Sequence, residues 1–386
     1  MEPTPTPQPA GWLARNWHYI ALMVTLSGWA VTVYVALRDG KPIPPPPVIE
    51  SQPAAPGPMG WEDRPEEVRK FAATLQFPTF AQPPAGADAN LPDKIFQWEI
   101  CKAATGSYLP TLDQGSVGSC TAFGGVGAGR IQLCVRIVTA KKAMKPAPDY
   151  WELATEPLYG LARVDVLGGV LRGSDGATGS SVAQAAQKYG FAPRQKYATV
   201  DLSSYSQATC RRMGDSGVPA DIKEECAKHK TNSVTLVRTT EDVRRALANG
   251  FSVTIASNVG FGNRGPYVRD QDGCLRASGT WAHQMHLIGY AKHPTRGYLF
   301  CIMNSWGENW VGGPKGAGDP PSGSFWCVEQ TMQRILDAGD SWVFDGIGGF
   351  ERKPLDWAMA EPQKRFGIND SRLAIVDRSN YNALAP

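Results

Sequence analysis

Asp113-Gln114-Gly115-Ser116-Val117-Gly118-Ser119-Cys120-Thr121-Ala122-Phe123 is the stretch on which the reading of this chain turns. Small residues bring a cysteine to the start of an apolar run, Ala122 to Val135, that can form a buried helix. A thiol at that position meets unpaired backbone N–H groups and the positive end of the helix dipole, both of which favour thiolate. The small residues before it leave room for a substrate carbonyl. Gln114, six residues upstream, can offer an amide N–H to a developing oxyanion. A cysteine in apolar surroundings is more often an inert core residue, so this stretch needs company.

Two downstream stretches supply it: Trp281-Ala282-His283-Gln284-Met285-His286-Leu287-Ile288-Gly289-Tyr290 and Tyr298-Leu299-Phe300-Cys301-Ile302-Met303-Asn304-Ser305-Trp306-Gly307-Glu308-Asn309-Trp310. A cysteine, a histidine on one strand and an asparagine on the next make a nucleophile, a base and a group to orient the base. With these three motifs in this order, the chain resembles the papain-like (C1) cysteine peptidases over roughly residues 91 to 348.

The resemblance implies an α+β papain-like fold of two domains. One is helical and carries Cys120; the other is a β-barrel-like sheet bearing His283 and Asn304, with the active site in the cleft between them. It also implies peptide-bond hydrolysis through an acyl-thioester on Cys120, with protein or peptide as substrate and no cofactor. The family histidine lies six residues before the glycine of Gly-Tyr, which selects His283 over His286. On a strand these two point to opposite faces, and His286 is then a structural residue. Gln114 would serve the oxyanion, and Trp306 would shield the His283–Asn304 hydrogen bond and border the substrate. Gly176, in Asp175-Gly176-Ala177-Thr178, would bond the substrate backbone. Thr121 stands where many relatives have tryptophan, and Val117 where many have a cysteine. The spacing from cysteine to histidine is somewhat longer than in the family, in keeping with a polar insertion, Tyr205 to Lys230.

The remainder of the 386 residues divides by composition. Residues 1–18 are expected to be a disordered N-terminus, proline-rich from Met1 to Pro9. Tyr19 to Leu37 carries no charge and would span about 28 Å as a helix, close to a bilayer core. It is read as a single transmembrane helix contacting lipid, with the catalytic domain on the extracytoplasmic side. Residues 38–60 form a proline-rich spacer. Residues 61–90 form an arm, with a short helix expected over Trp61 to Phe77: a packing element or a vestigial pro-segment. Residues 350–386 are an extension of no evident role.

A net charge of +3 with scattered Lys and Arg gives no basic stripe, so nucleic acid is not indicated. No His-Glu-x-x-His or paired Cys-x-x-Cys suggests a metal. Eight cysteines suit an oxidising compartment, and a disulfide between Cys210 and Cys226 would close the insertion. Ser180 or Ser181 is expected to cap a helix over Val182 to Tyr189, with Gly190 ending it. Two other functions fit the same residues: a membrane or virion assembly component whose domain mainly binds a partner, and a transpeptidase or cell-wall amidase using the same triad.

Overall fold

The structure, a computed structural model, describes residues 59–75, 91–142 and 149–347. By packing, the chain divides into Met1–Gln52 and Pro53–Pro386, and every described residue belongs to the second unit. The expected span at Tyr19 to Leu37, most of the spacer and the extension 350–386 lie outside the described residues. Among the described residues, no helix is long and apolar enough to cross a membrane.

Among the described residues the longest helix is Cys120–Lys142, with Cys120 as its first residue. Gly124, Gly125, Gly127 and Gly129 weaken it intrinsically, by about 1 kcal/mol each relative to alanine. Tertiary contact on two sides compensates. A Cβ on Gly127 would lie 2.2 Å from the His286 ring, and one on Gly124 would lie 3.1 Å from the Gln284 side chain. On the other side, a Cβ on Gly125 would meet Val182 at 2.5 Å, and one on Gly129 would meet Leu153 at 2.8 Å. The glycines therefore let the sheet and the smaller helices approach one backbone at once.

The main sheet runs in the order Ser324–Val328, Gly297–Met303, Thr280–His293, Ser252–Val259, Trp342–Ile347 and Thr231–Leu236, all antiparallel. The 14-residue strand Thr280–His293 is shared: its first half pairs with Ser252–Val259, its second with Lys94–Phe96. Side-chain alternation along Trp342–Ile347 divides the interior. Trp342 and Phe344 enter a core built with Leu158, Val182 and Phe191 of the helical part. Val343 enters a second core with Val253, Leu287, Phe300 and Ile335. These two cores stand where two domains were expected, and both lie within one compact unit.

Several local expectations shift. The helix after the Gly176 turn is Gly179–Lys188, and its cap is Thr178 in place of Ser180 or Ser181. The Thr178 hydroxyl accepts the Ser181 N–H at 2.9 Å, and the Ser181 hydroxyl in turn accepts the Thr178 N–H. The polar insertion holds two helices, Gln207–Ser216 and Ala220–Cys226. Cys210 and Cys226 are both free, contrary to the disulfide expected between them. Each sulfur is buried in the helical core, where cysteine acts as a small apolar residue. All eight cysteines are free and buried, so no disulfide supports an oxidising compartment.

Candidate active site

Three elements bring the candidate residues together. Cys120 opens the central helix, His283 lies on the long strand, and Asn304 follows the strand Gly297–Met303. Pairing of His286 with Met303 fixes the two strands in register and brings His283 beside Asn304. His283 Nε2 is 2.8 Å from Asn304 Oδ1, which also accepts the Ser305 backbone N–H at 2.7 Å. The backbone N–H can only donate, so the atom facing it is the amide oxygen. His283 must therefore donate from Nε2, which leaves Nδ1 as the basic nitrogen. Nδ1 is buried and has no hydrogen-bond partner. The Trp306 ring lies over this pair, 4.9 Å from the imidazole centroid, as a shield would.

Gln114 is fully buried. Its amide oxygen accepts the Ser305 hydroxyl at 2.6 Å, and its Nε2 donates to Val117 O at 2.9 Å. Both bonds hold the side chain within the loop that precedes Cys120. The insertion braces the same loop: Tyr205 donates to Gln114 O, Gln207 accepts the Ser116 N–H, and Arg211 reaches Ser116 O and Asp175. Asp175 in turn accepts the Gly118 N–H. The sequence showed the insertion as a polar addition and gave no sign of this bracing, because contacts 91 to 95 residues apart leave no local pattern.

Gly176 sits in the expected turn, but its backbone is already engaged. Its N–H donates to the Tyr159 hydroxyl, and Arg163 donates to its carbonyl. The backbone groups open to the cleft belong to Ala177, one residue on. There the Ala177 N–H donates to Gly60 O at 2.9 Å, and Ala177 O accepts the Glu62 N–H at 2.9 Å. The glycine is needed for the turn, at φ +110°, while the alanine offers the edge.

These bonds reveal what occupies the cleft. The segment Met59–Glu62 crosses it from one wall to the other. Gly60 and Trp61 both donate to Ala282 O, beside His283, and Trp61 pairs in parallel with Ala177. Gly60 packs so tightly on Gly118 that a Cβ would lie 1.9 Å from its carbonyl oxygen. Trp61 packs against Cys120 and Ala256. The arm's helix, Pro65–Thr74, begins later than expected and anchors the segment through Val68 and Phe71. Proline at its first position suits a helix start.

Burial under this arm changes the chemistry of the pair. The Cys120 thiol is pushed up to about 12 by desolvation, against which the backbone N–H groups of Gln284, Gly60 and Thr121 act only in part. His283 is pulled down to about 4 by burial, although its bond to Asn304 opposes this. The thiolate expected at Cys120 is therefore replaced by a neutral thiol, with a neutral His283 ring, in this closed form. The helix dipole and the N–H groups do not outweigh complete removal of water.

His286 faces the helix at Gly127, and burial and the Arg130 charge hold it near 3. Both histidines have folded-state values below the ordinary 6.5. Their contribution to stability is full above pH 6.5 and is lost as the pH falls toward 4 and 3. Asp340, raised to about 6, opposes them over part of that range. Two histidines outweigh one carboxylate, so thermal stability should fall between pH 7 and pH 4, on the order of 5–10 °C. Thermal scans across that range would show it, and His286→Gln should flatten the slope. A constant or rising midpoint would mean that the rings are not held neutral.

Among the described residues no cluster of three or more His, Cys, Asp or Glu could hold a metal ion. Compared with known families, residues 96–316 match the model described as papain family cysteine protease. No curated protein matches the chain. Among solved structures, xylellain, a cysteine protease from Xylella fastidiosa, is 18% identical with a TM-score of 0.48, over 78% of this chain and 99% of that one. Procathepsin B S9 from Trypanosoma congolense is 13% identical with a TM-score of 0.48, over 76% and 87%. Digestive procathepsin L 3 of the Tenebrio molitor larval midgut is 15% identical with a TM-score of 0.47, over 88% and 94%.

Proposed function

The chain belongs to the papain family of cysteine proteases, and from that premise we propose a membrane-anchored endopeptidase that works through an acyl-thioester on Cys120 and is held closed by its own arm. One observation carries the catalytic part: the Asn304 oxygen fixes the His283 tautomer and leaves Nδ1 as the base. In the open form, Nδ1 takes the thiol proton as sulfur attacks the peptide carbonyl. The C–N bond then breaks as the same nitrogen returns the proton to the leaving amine. Water, deprotonated by His283, hydrolyses the thioester and regenerates the thiol. Gln114 stabilises the oxyanion, and Ala177 pairs with the substrate backbone. Labelling of Cys120 by a peptide-like electrophile in Trp61→Ala, which loosens the arm, tests the reading; a folded variant that neither labels nor cleaves any peptide overturns it.

The arm is placed to inhibit: the Gly60 N–H is bonded to Ala282 O and the Gly60 carbonyl to the Ala177 N–H, so the arm occupies both walls of the cleft.

The anchor rests on the sequence of Tyr19 to Leu37: no ionised side chain and a length close to the bilayer core. Full-length protein should sediment with membranes and resist carbonate extraction at high pH. Recovery wholly in the soluble fraction would refute the anchor. We place the catalytic domain on the extracytoplasmic side. External protease should then reach that domain in intact cells, and protection until lysis would reverse the orientation.

A further inference from the structure

The Trp61 side chain fills a pocket beside Cys120. Trp61 is 3% exposed and packs with Cys120 and Ala256, with Ala338 alongside. Its indole N–H points to the floor of the pocket and donates to Asp340 Oδ2 at 2.8 Å. The carboxylate is completely buried, yet it is a built feature of the wall. Oδ2 also accepts the Gly179 N–H at 2.7 Å, and Oδ1 accepts the Trp342 indole N–H at 2.8 Å. Position 179 must be glycine for this approach, because a Cβ there would lie 2.9 Å from the carboxylate. A small apolar chamber thus ends in one anionic acceptor, beside the reactive sulfur and next to the Ala177 backbone that binds an extended segment.

We infer that Asp340 sets the selectivity of this pocket once the arm leaves, and that the pocket takes peptides presenting a side chain of tryptophan's length that ends in an N–H donor. The inference rests on the peptidase reading given above. An apolar ring of equal size would fill the chamber but leave the floor oxygen one hydrogen bond short in a place that water cannot reach. Sites built around a buried acceptor discriminate strongly against ligands that lack the donor. Tryptophan meets both requirements, as Trp61 itself shows. Burial raises the Asp340 carboxyl to about 6 while the arm is in place, against the N–H groups of Trp342, Trp61, Gly179 and Ser180. The floor is therefore ionised at pH 7.

The test uses full-length protein and two series of otherwise identical peptides, one with tryptophan at a single position and one with 2-naphthylalanine there. That position is moved along the peptide until it lies next to the cut. The two residues have nearly the same shape and differ in the N–H. The fraction of molecules with an open arm multiplies both rates equally, so the ratio of kcat/KM reads the pocket alone. Tryptophan should be preferred by about tenfold or more at pH 7. In Asp340→Asn the ratio should drop toward one, because the amide presents a donor to at least one of the donors now served. Should that variant not fold, the ratio in the unaltered protein decides the question. Cleavage of both peptides at equal rates, or a preference for naphthylalanine, overturns the pocket inference and leaves the peptidase standing. Failure of the Trp61→Ala protein to cleave any peptide, together with failure of its Cys120 to label, overturns both.

Discussion

His283→Ala should remove at least about 10³-fold of peptide turnover, and Cys120→Ala should leave none attributable to the site. The expectation for Cys120 follows from chemistry and from packing. Cys120 is the group proposed to form the thioester, and alanine at the start of the central helix needs less space than the thiol. The Cys120→Ala protein should therefore melt close to the unaltered one. For His283, the loss comes from removing the only nitrogen able to take the thiol proton and return it to the leaving amine. Asn304→Ala should cost less, because it frees the ring without removing its base. Its clearest readout is the pH profile: with Nε2 no longer held by the Asn304 oxygen, the profile should shift as well as fall. Full turnover in a Cys120→Ala preparation shown by mass to be homogeneous would end the mechanism. A fall caused by His286→Ala in place of His283→Ala would show that the other face of the strand is the working one.

Trp61→Ala should accelerate alkylation of Cys120 by iodoacetamide about 100-fold in the full-length protein. Truncating a buried tryptophan costs a host structure several kcal/mol, and here the cost falls on the closed arrangement. Residues 59–62 hold the cleft through backbone bonds to Ala282 and Ala177 and through this one ring. The helix behind them keeps its own anchors, Val68 and Phe71. The variant should open locally and stay folded. Labelling must be read at Cys120 by peptide mapping, because the other seven cysteines are also thiols. An unchanged rate at Cys120 would mean that access to the sulfur does not run through the arm.

The residues that can react were legible in the sequence because each sits in a short run whose neighbours constrain it. Gly-Ser before Cys120, the Gly-Tyr after His283 and the Ser-Trp-Gly after Asn304 are local patterns. What escaped was long-range or carried by backbone. Ala177 replaced Gly176 as the residue facing the cleft because the difference lies in which amide is already bonded, and backbone bonding has no side-chain sign. Thr178 replaced Ser180 and Ser181 as the cap because three hydroxyl residues within four positions offer nearly equal choices. The ionisation expected for Cys120 counted the helix end and missed the burial, since the segment that buries it lies some 60 residues earlier in the chain. Cys210 and Cys226 were read as a pair from nearness in sequence, whereas each packs into the core as an apolar group.

Complete burial of the sulfur also bears on how long the protein survives before use. Peroxides and low-molecular-weight disulfides attack thiolates that they can reach. Under Gly60 and Trp61 the sulfur is protonated, dry and out of reach. The closed chain can therefore meet an oxidising medium without ageing chemically at its nucleophile. Opening the arm would expose the sulfur to substrate and oxidant alike, so the working lifetime of each molecule is counted from that moment and not from its synthesis.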